Sequence, residues 1–243
     1  SCAYHLRYRS LHSKEEKMSK VTAIVLAAGK GSRMKRSIPK QFLEVKGRPL
    51  IAYSLEAFEK SMVDEIILVT GENSIDFCSQ IVKIYEISKC TSIVPGGEVR
   101  ALSVYNGIKA SSGDYVLIHD GARPLISQHL IADTIEAVEK YPAVVPVIPV
   151  KDTIRQLMPD GSLDDAFDRS ALFGMQTPQA FVREEILKAY HKLIDEKTDF
   201  SDVTDDVMIM EKALHIHAHP VTGEELNKKI TTPEDLAWLN SEL

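Results

Sequence analysis

The stretch TAIVLAAGKGSRM, from Thr22 to Met34, joins a run of apolar residues to a turn that contains two glycines. Four further apolar runs follow it, and the segments between them have the periodicity of helices. The runs are continuous rather than alternating, which is typical of strands that are buried on both faces of a parallel sheet. The pattern therefore predicts a doubly wound α/β fold with a mostly parallel, Rossmann-like sheet.

The same pattern gives the approximate bounds of the elements. Strands are predicted over 22–27, 65–70, 91–96, 114–120 and 143–150. Helices are predicted over 48–60, 74–88, 98–111, 127–140, 183–196 and 203–213, with a closing helix after Thr232. We expect Ser127 and Thr232 to lie at helix N-termini, because their hydroxyls can accept backbone N–H groups there.

Beyond Val150 the pattern changes. Residues 151–181 alternate more between apolar and polar and contain the turn signal Pro-Asp-Gly. We predict a single domain over 20–243 with a projecting β-arm at about 148–180. Residues 1–19 are expected to be a flexible tail, with a natural start at Met18 as one interpretation.

Three histidines alternate in HIHAHP, at His215, His217 and His219, and the alternation predicts a strand with all three on one side. A metal site is one interpretation of such a row. No carboxylate or cysteine lies within the run, so a surface strand is favoured.

Composition restricts the kind of partner. The 243 residues include 29 Lys and Arg against 35 Asp and Glu, for a net charge of −6. This balance argues against a general nucleic-acid or anionic-membrane surface, so any basic site must be local. The three cysteines lack the spacing of a zinc site, which fits a reducing, cytoplasmic location. No apolar run is long enough to span a membrane, and the opening residues do not resemble a secretory signal.

The turn after the first strand carries a local basic cluster. Five cations and no acid occur between Lys30 and Lys40. The stretch lacks the third glycine of a dinucleotide fingerprint and the Gly-Lys-Ser/Thr ending of a P-loop. Five cations suit a triphosphate, and Arg and Lys together serve nucleotidyl transfer well. A solvated basic loop remains the alternative.

Two further segments follow strands. The stretch YVLIHDGARP ends a predicted strand at Asp120, where a carboxylate can hold Mg²⁺ together with phosphate oxygens. The alternative is that Asp120 caps its turn or pairs with Arg123, and we expect His119 to be a packed strand residue. The stretch PGGEVRALSV places two glycines before Arg100 and Ser103, which suits close approach of a flat ring or simply a tight turn.

The motifs of the sequence, taken in their order along the chain, resemble those of the 2-C-methyl-D-erythritol 4-phosphate cytidylyltransferases of isoprenoid precursor biosynthesis. The matching motifs are LAAGKGSRM, PKQF, GGEVRALSV, HDGARP, KDTI, DRSALFGMQTPQAF, VTDD and NKKITTPEDL. The resemblance implies a nucleotidyltransferase that moves the cytidylyl group of CTP to 2-C-methyl-D-erythritol 4-phosphate. The products are 4-diphosphocytidyl-2-C-methyl-D-erythritol and pyrophosphate.

The resemblance also implies roles for residues of this chain. Arg33, Lys40 and Lys229 are the implied catalytic cations at the α-phosphate, with Lys228 as the alternative to Lys229. Asp120 is the implied Mg²⁺ ligand. The residues expected around the nucleotide are Ala27, Ala28, Gly29, Gly31, Gly97, Glu98, Arg100 and Ser103.

The acceptor side follows by the same resemblance. It implies a homodimer formed through the β-arm, in which Thr153 and Arg169 reach the methylerythritol phosphate bound by the partner. Thr177 in QTPQ, and Thr204 with Asp205 in VTDD, are implied near the acceptor. Gly121 stands where the family often has alanine, and we expect it to loosen the turn.

Two other functions remain to be distinguished. A ribitol-5-phosphate cytidylyltransferase would use the same site chemistry with another polyol phosphate. A non-catalytic nucleotide-binding subunit would keep the fold and not the turnover, although the presence of Arg33, Lys40, Asp120 and Lys229 counts against it. Pyrophosphate release with each acceptor separates these alternatives.

Overall fold

A computed structural model describes residues 18–29 and 38–243 of the chain. In these two ranges the strands are β1 (Val21–Ala27), β2 (Glu44–Val45), β3 (Arg48–Pro49), β4 (Glu65–Thr70), β5 (Cys90–Pro95), β6 (Tyr115–Asp120), β7 (Ala143–Pro149), β8 (Arg155–Leu157), β9 (Leu163–Ala166), β10 (Phe173–Met175), β11 (Gln179–Val182) and β12 (His219–Thr222). The helices of the same ranges are α1 (Leu50–Glu59), α2 (Ile75–Ile84), α3 (Arg100–Ala110), α4 (Gln128–Val138), α5 (Arg183–Asp195), α6 (Val207–Leu214) and α7 (Pro233–Glu242).

The first strand lies inside an eight-stranded sheet. β1 pairs in parallel with β4 and with β6, and β5 pairs in parallel with β4. β11 runs antiparallel between β6 and β7, β10 also pairs antiparallel with β7, and β12 pairs in parallel with β7. The sheet is therefore mostly parallel, and the predicted α/β fold is confirmed.

Helices cover both faces of this sheet, as the continuous apolar strands predict. On one face α1, α2 and α4 pack over the strands, with Phe58 and Leu130 fully buried. On the other face α3, α5 and α6 do so, with Tyr190 and Met210 fully buried. Each of the central strands β1, β4 and β6 therefore contributes side chains to two separate apolar cores.

The five predicted strands occur within one residue of their predicted ends. All six helices with predicted bounds are shorter than predicted, and two of them differ by four residues at one end. The helix predicted over 203–213 begins only at Val207, and the one predicted over 74–88 ends at Ile84, shortly before Glu86 adopts a positive φ of 53°. The predicted N-caps are confirmed: the Ser127 hydroxyl accepts the N–H of Leu130, and the Thr232 hydroxyl accepts that of Asp235.

The region predicted as an arm has two parts. β8 and β9 form a separate antiparallel hairpin, whose turn contains Gly161 at a φ of +85°. β10 and β11 return to the main sheet, so the final residues of the range 148–180 belong to the core of the fold. The sequence does not predict the antiparallel insertion of β11, because QTPQAF is too short and too polar to indicate a central strand.

The expectation of three histidines on one strand face is wrong. β12 begins at His219, while His215 ends α6 in the left-handed conformation at a φ of 55°. The ring of His219 stacks on Tyr141, with centroids 3.7 Å apart.

Across residues 18–29 and 38–243, no group of three or more His, Cys, Asp or Glu side chains is arranged to hold a metal ion. Nor does this part of the chain contain a helix of the length and apolarity needed to cross a membrane.

Candidate active site

A cavity of about 320 Å³ opens at the carboxyl ends of β1 and β6. Parallel strands end at one edge of a sheet, and ligands bind in the crevice outside that edge. The sequence-predicted residues that line it are Ala27, Ala28, Gly29, Lys40, Gly97, Glu98, Arg100, Ser103, Asp120 and Lys229. Residues from separate parts of the sequence are thus brought to one cavity, as the motifs predict.

Local structure explains how these segments converge. Leu26 of β1 is paired with Asp120 of β6, so the two strand ends lie side by side. A Cβ on Gly121 would lie 2.6 Å from the carbonyl oxygen of Leu26, so only glycine allows the turn to approach β1 this closely. The expectation that Gly121 loosens this turn is therefore wrong. The C-terminal segment is held to the same turn because the Ile230 N–H donates to the Ala122 carbonyl at 2.8 Å.

Three cations surround the Asp120 carboxylate. Its Oδ1 lies 3.2 Å from Nη2 of Arg100, and its Oδ2 lies 3.1 Å from Nζ of Lys229 and 3.6 Å from Nε of Arg123. Burial raises the pKa of Asp120, but these cations outweigh it and hold the pKa well below the usual range. Asp120 is therefore ionised, and the predicted pairing with Arg123 is present. The role of Asp120 as a metal ligand stays a prediction.

A second carboxylate, Asp206, orients Arg100. Its oxygens accept from Nη1 and Nη2 of Arg100 at 2.8 Å and 3.0 Å, a bidentate pair. Burial lowers the pKa of Arg100, but Asp206 and Asp120 raise it more, so the guanidinium stays charged. Sequence reasoning took Thr204 and Asp205 from VTDD and missed Asp206, because only the start of α6 decides which of the two acids faces inward.

The charges at this edge do not cancel. The cations outnumber the carboxylates by four to three: Arg100, Arg123, Lys229 and Lys40 stand against Asp120, Asp206 and Glu98. The cavity therefore carries an excess of positive charge inside a chain that is negative overall. Such an excess beside backbone N–H groups and a helix N-terminus favours a polyanionic ligand.

Gln41 is a second residue that sequence reasoning missed. Its Nε2 donates to the carbonyl of Ala27 at 2.5 Å and to that of Gly29 at 3.0 Å. The side chain is buried and ties the chain after Lys40 to the chain leaving β1. The intervening residues 30–37 include Arg33 and Gly31, and both lie outside the described residues.

On the opposite wall the glycine pair meets the start of α3. The N–H of Gly97 donates to Oγ of Ser103 at 3.0 Å, and a Cβ on Gly97 would lie 2.5 Å from that of Leu102. Gly97 and Glu98 line the cavity beside this close packing. Small residues make up much of the lining, which leaves room for a flat ring to approach the backbone.

Known proteins that are similar to this chain identify its family. The family model for 2-C-methyl-D-erythritol 4-phosphate cytidylyltransferase matches residues 21–242. A protein of that name from Lachnoclostridium phytofermentans is 45% identical over 223 residues, which are 91% of this chain and 95% of the relative. The chain belongs to the 2-C-methyl-D-erythritol 4-phosphate cytidylyltransferase family.

Further members of the family are similar to this chain in sequence and in fold. The cytidylyltransferase of Clostridium botulinum strain Loch Maree is 44% identical over 225 residues, or 90% of this chain and 95% of the relative. The crystal structure of the 4-diphosphocytidyl-2C-methyl-D-erythritol synthase from Anaerococcus prevotii superposes with a TM-score of 0.79 at 33% identity, covering 92% of this chain and 98% of that one. The cytidylyltransferase of Thermus thermophilus gives a TM-score of 0.74 at 28% identity, with the same two coverages.

In this member of the family, four of the predicted acceptor residues do not line the cavity. Thr153 and Arg169 lie exposed on the arm, where Arg169 donates to the Lys151 carbonyl. Thr204 is exposed, and its hydroxyl lies 3.3 Å from Sδ of Met208. Thr177 is buried directly behind Asp120. A single copy of the chain therefore does not bring the four predicted acceptor residues together.

Proposed function

We propose that the cavity beside Asp120 is where this cytidylyltransferase binds CTP and where the phosphate of 2-C-methyl-D-erythritol 4-phosphate attacks it. The observation that carries the proposal is the excess of cations around Asp120, at a sheet edge next to a glycine-containing turn. The family names the reaction, and this cavity offers the charge and the small-residue wall that the reaction requires. Family membership does not favour ribitol 5-phosphate as the acceptor or a non-catalytic role.

The chemistry needs positioning more than acid or base catalysis. An oxygen of the acceptor phosphate forms a bond to the α-phosphorus of CTP, the bond from that phosphorus to the bridging oxygen breaks, and pyrophosphate leaves. The attacking oxygen is already anionic, so no general base is required. Lys40 and Lys229 at the cavity are proposed to neutralise the charge that builds on the α-phosphate, together with Arg33, which precedes Lys40 in the sequence.

Asp120 is proposed to hold Mg²⁺. The residues fit this ion, because Mg²⁺ needs only one or two protein carboxylates when phosphate oxygens and water complete its shell, and the lowered pKa keeps Asp120 ionised. When bound, the ion would neutralise triphosphate oxygens. Lys229 now lies 3.1 Å from Oδ2 of Asp120, and we propose that it turns from this carboxylate to the α-phosphate when CTP enters.

A second copy of the chain is proposed to complete the acceptor side. The arm exposes several large apolar side chains, which are costly to leave in water and suit an interface. Leu157 is 69% exposed, Leu163 is 62% exposed and Phe167 is 48% exposed. A partner's arm packed on these side chains would carry Thr153 and Arg169 toward the neighbouring cavity, where Arg169 would bind the acceptor phosphate. Thr204 is proposed near the same acceptor.

The dimer proposal has a direct test. Leu157→Asp places a charge in the proposed interface, and light scattering after size exclusion should report a monomer with greatly reduced turnover. Lys188→Ala, on the exposed side of α5, is the control and should stay dimeric and active. A Leu157→Asp monomer with full turnover would contradict the role of the partner. The cytoplasmic location stays a prediction that cell fractionation tests.

The reaction itself is tested by pyrophosphate release. The purified chain should release pyrophosphate only when CTP, Mg²⁺ and 2-C-methyl-D-erythritol 4-phosphate are all present. Ribitol 5-phosphate in place of that acceptor should give little release, and a preference for it would overturn the assignment. Lys40→Ala should lower turnover about 100-fold, because it removes a cation from the transition state, whereas Lys188→Ala should not.

A further inference from the structure

Residues 176–179, here called the QTPQ segment, lead from β10 into β11 and are buried beside the cavity. The side chains of Gln176, Thr177 and Gln179 are 3%, 4% and 1% exposed. None of the three is among the described residues that line the cavity. Buried polar side chains are costly unless every group is hydrogen-bonded, so three of them together need an explanation.

Gln179 holds the start of α6. Its Oε1 accepts the N–H groups of Asp206 at 2.9 Å and of Val207 at 3.1 Å. These bonds fix the backbone from which the fully buried Asp206 reaches Arg100. The amide of Gln179 therefore sets the position of a cavity guanidinium that it does not touch.

Thr177 holds the strand end that carries Asp120. Its Oγ1 accepts the backbone N–H of Asp120 at 3.1 Å and donates to Nδ1 of His119 at 2.9 Å. The other ring nitrogen of His119 lies 3.0 Å from the carbonyl of Arg123, which can only accept, so that nitrogen carries the proton. One hydroxyl thus links both ends of the turn that presents Asp120 and Arg123.

Gln176 holds the segment that leads to Lys229. Its Nε2 donates to the carbonyl of Glu224 at 2.8 Å, and its Oε1 accepts the N–H of Glu224 at 3.1 Å and Nδ2 of Asn227 at 3.3 Å. The carbonyl of Asn227 in turn accepts from Nη1 of Arg123 at 2.8 Å. The C-terminal segment is therefore tied to the QTPQ segment and to the Asp120 turn.

We propose that Gln176, Thr177 and Gln179 are positioning residues, which hold the three segments bearing Lys229, Asp120 and the Asp206 partner of Arg100 in one arrangement. Each of these three segments supplies or orients a charge of the cavity, and each is bonded to a different side chain of the QTPQ segment. This inference rests on the proposed function of the cavity. It places Thr177 behind Asp120, where it acts through that residue and not on the acceptor itself.

Thr177 allows a matched test with an isosteric change. Thr177→Val removes the hydroxyl and keeps the shape, whereas Thr177→Ser keeps the hydroxyl. The control is Thr134→Val in α4, because Thr134 is also fully buried and its hydroxyl donates to the Leu130 carbonyl at 2.7 Å, away from the cavity. Steady-state pyrophosphate release and thermal unfolding are measured for all three variants and for the unchanged chain.

The expected result is a split between the two valine variants. Thr177→Val should lower kcat/KM about 10-fold or more, the loss typical of a residue that orients a ligand from behind, and Thr177→Ser should restore it to within about 3-fold. Thr134→Val should lower the melting temperature comparably and leave kcat/KM unchanged. A folded Thr177→Val chain with unchanged kcat/KM, or an equal loss in Thr134→Val, would overturn the proposal.

A double-variant cycle tests whether Thr177 acts through Asp120. In the background of Asp120→Asn, adding Thr177→Val should cost much less than about 10-fold, since the group that it positions is already lost. Fully additive losses would overturn the proposed route. If the chain releases no pyrophosphate, or Lys40→Ala is as active as the unchanged chain, the proposed function fails instead, so the two failures are distinguishable.

Discussion

Asp120 and Glu65 are buried carboxylates at opposite ends of the same sheet, and they are held in different ways. Asp120, at the carboxyl end of β6, is surrounded by Arg100, Arg123 and Lys229. Glu65, at the amino end of β4, accepts hydrogen bonds only from uncharged groups among the residues that the structure describes. Burial of an acid therefore does not by itself indicate a functional site, and the charge of its donors distinguishes the two ends.

The bonds to Glu65 are complete without any ligand. Oε2 accepts the Thr22 hydroxyl at 2.6 Å and the N–H and hydroxyl of Ser112 at 2.9 Å and 3.0 Å, and Oε1 accepts the Thr91 hydroxyl at 2.9 Å. These bonds join β1, β4, β5 and the chain before β6. Around Asp120, by contrast, the cations outnumber the carboxylates. The carboxyl end of β6 therefore favours the binding of an additional anion.

The largest effect is expected from removing one of the cations at Asp120. Lys229→Ala should lower kcat about 100-fold or more, because the α-phosphate loses a cation in the transition state. Lys228→Ala is the matched control: Lys228 pairs with Asp235 at 2.7 Å and lies over the ring of Trp238, so its loss should leave kcat nearly unchanged. Pyrophosphate release decides between the two lysines, and a larger loss in Lys228→Ala would exchange their roles.

Replacing each carboxylate by its amide should affect a different property, turnover at Asp120 and stability at Glu65. Asp120→Asn should lower kcat at least about 10-fold, since it removes the proposed Mg²⁺ ligand. Glu65→Gln should leave kcat unchanged and lower the free energy of unfolding by about 1–3 kcal/mol, because its amide cannot accept all four bonds. Turnover and urea unfolding are measured on both variants. Lost turnover in folded Glu65→Gln would contradict the distinction between the two ends.

Acid should weaken the Glu65 end. Burial raises the pKa of Glu65, but the hydrogen bonds from Thr22, Ser112 and Thr91 outweigh it, so the folded-state pKa lies below the ordinary value of 4.5. The folded chain thus binds this proton more weakly than the unfolded chain, and Glu65 stabilises the fold above about pH 4.5. The free energy of unfolding in urea should differ between the unchanged chain and Glu65→Gln by a constant amount near neutral pH. This difference should become smaller below about pH 4.5. If the difference in free energy of unfolding instead became larger below about pH 4.5, the folded-state pKa of Glu65 would be raised and not lowered.

The smallest effect is expected from a single donor of the Glu65 end. Thr91→Val removes one exposed hydroxyl that bonds to Oε1 and should lower the free energy of unfolding by about 0.5–1 kcal/mol, with unchanged turnover. Thr22→Val should cost more, because Thr22 is fully buried and its hydroxyl also accepts the N–H of Gly113. Equal costs for the two variants would mean that burial does not strengthen these bonds.

Much of the fold follows from local patterns in the sequence. The apolar runs were long and continuous enough to predict β1, β4, β5, β6 and β7, and hydroxyls at Ser127 and Thr232 predicted two helix starts. β11 could not be predicted, since its place between β6 and β7 depends on contacts with distant residues. The prediction for the histidine row fails for the same reason, because β12 begins only at His219 and His215 takes the left-handed conformation at the end of α6.

Sequence motifs predict many of the residues that line the cavity, but they do not predict the hydrogen bonds and ion pairs that hold those residues in place. Asp120, Lys40 and Lys229 stand in motifs whose order in the chain identifies them. Asp206 and Gln41 carry equally specific contacts, yet neither has a spacing that marks it, because their partners Arg100 and Ala27 lie 106 and 14 residues away.

The sequence by itself therefore determined the fold class, the family and most of the side chains that line the cavity, because hydrophobic periodicity and ordered motifs are local properties of a chain. Only the tertiary structure decided which acids are paired with cations and which with hydroxyls, and which buried amides hold the site from behind. Those choices depend on the distances between segments that are far apart in sequence. The sheet sets these distances through its register, as the pairing of Leu26 with Asp120 and of Thr22 with Glu65 illustrates.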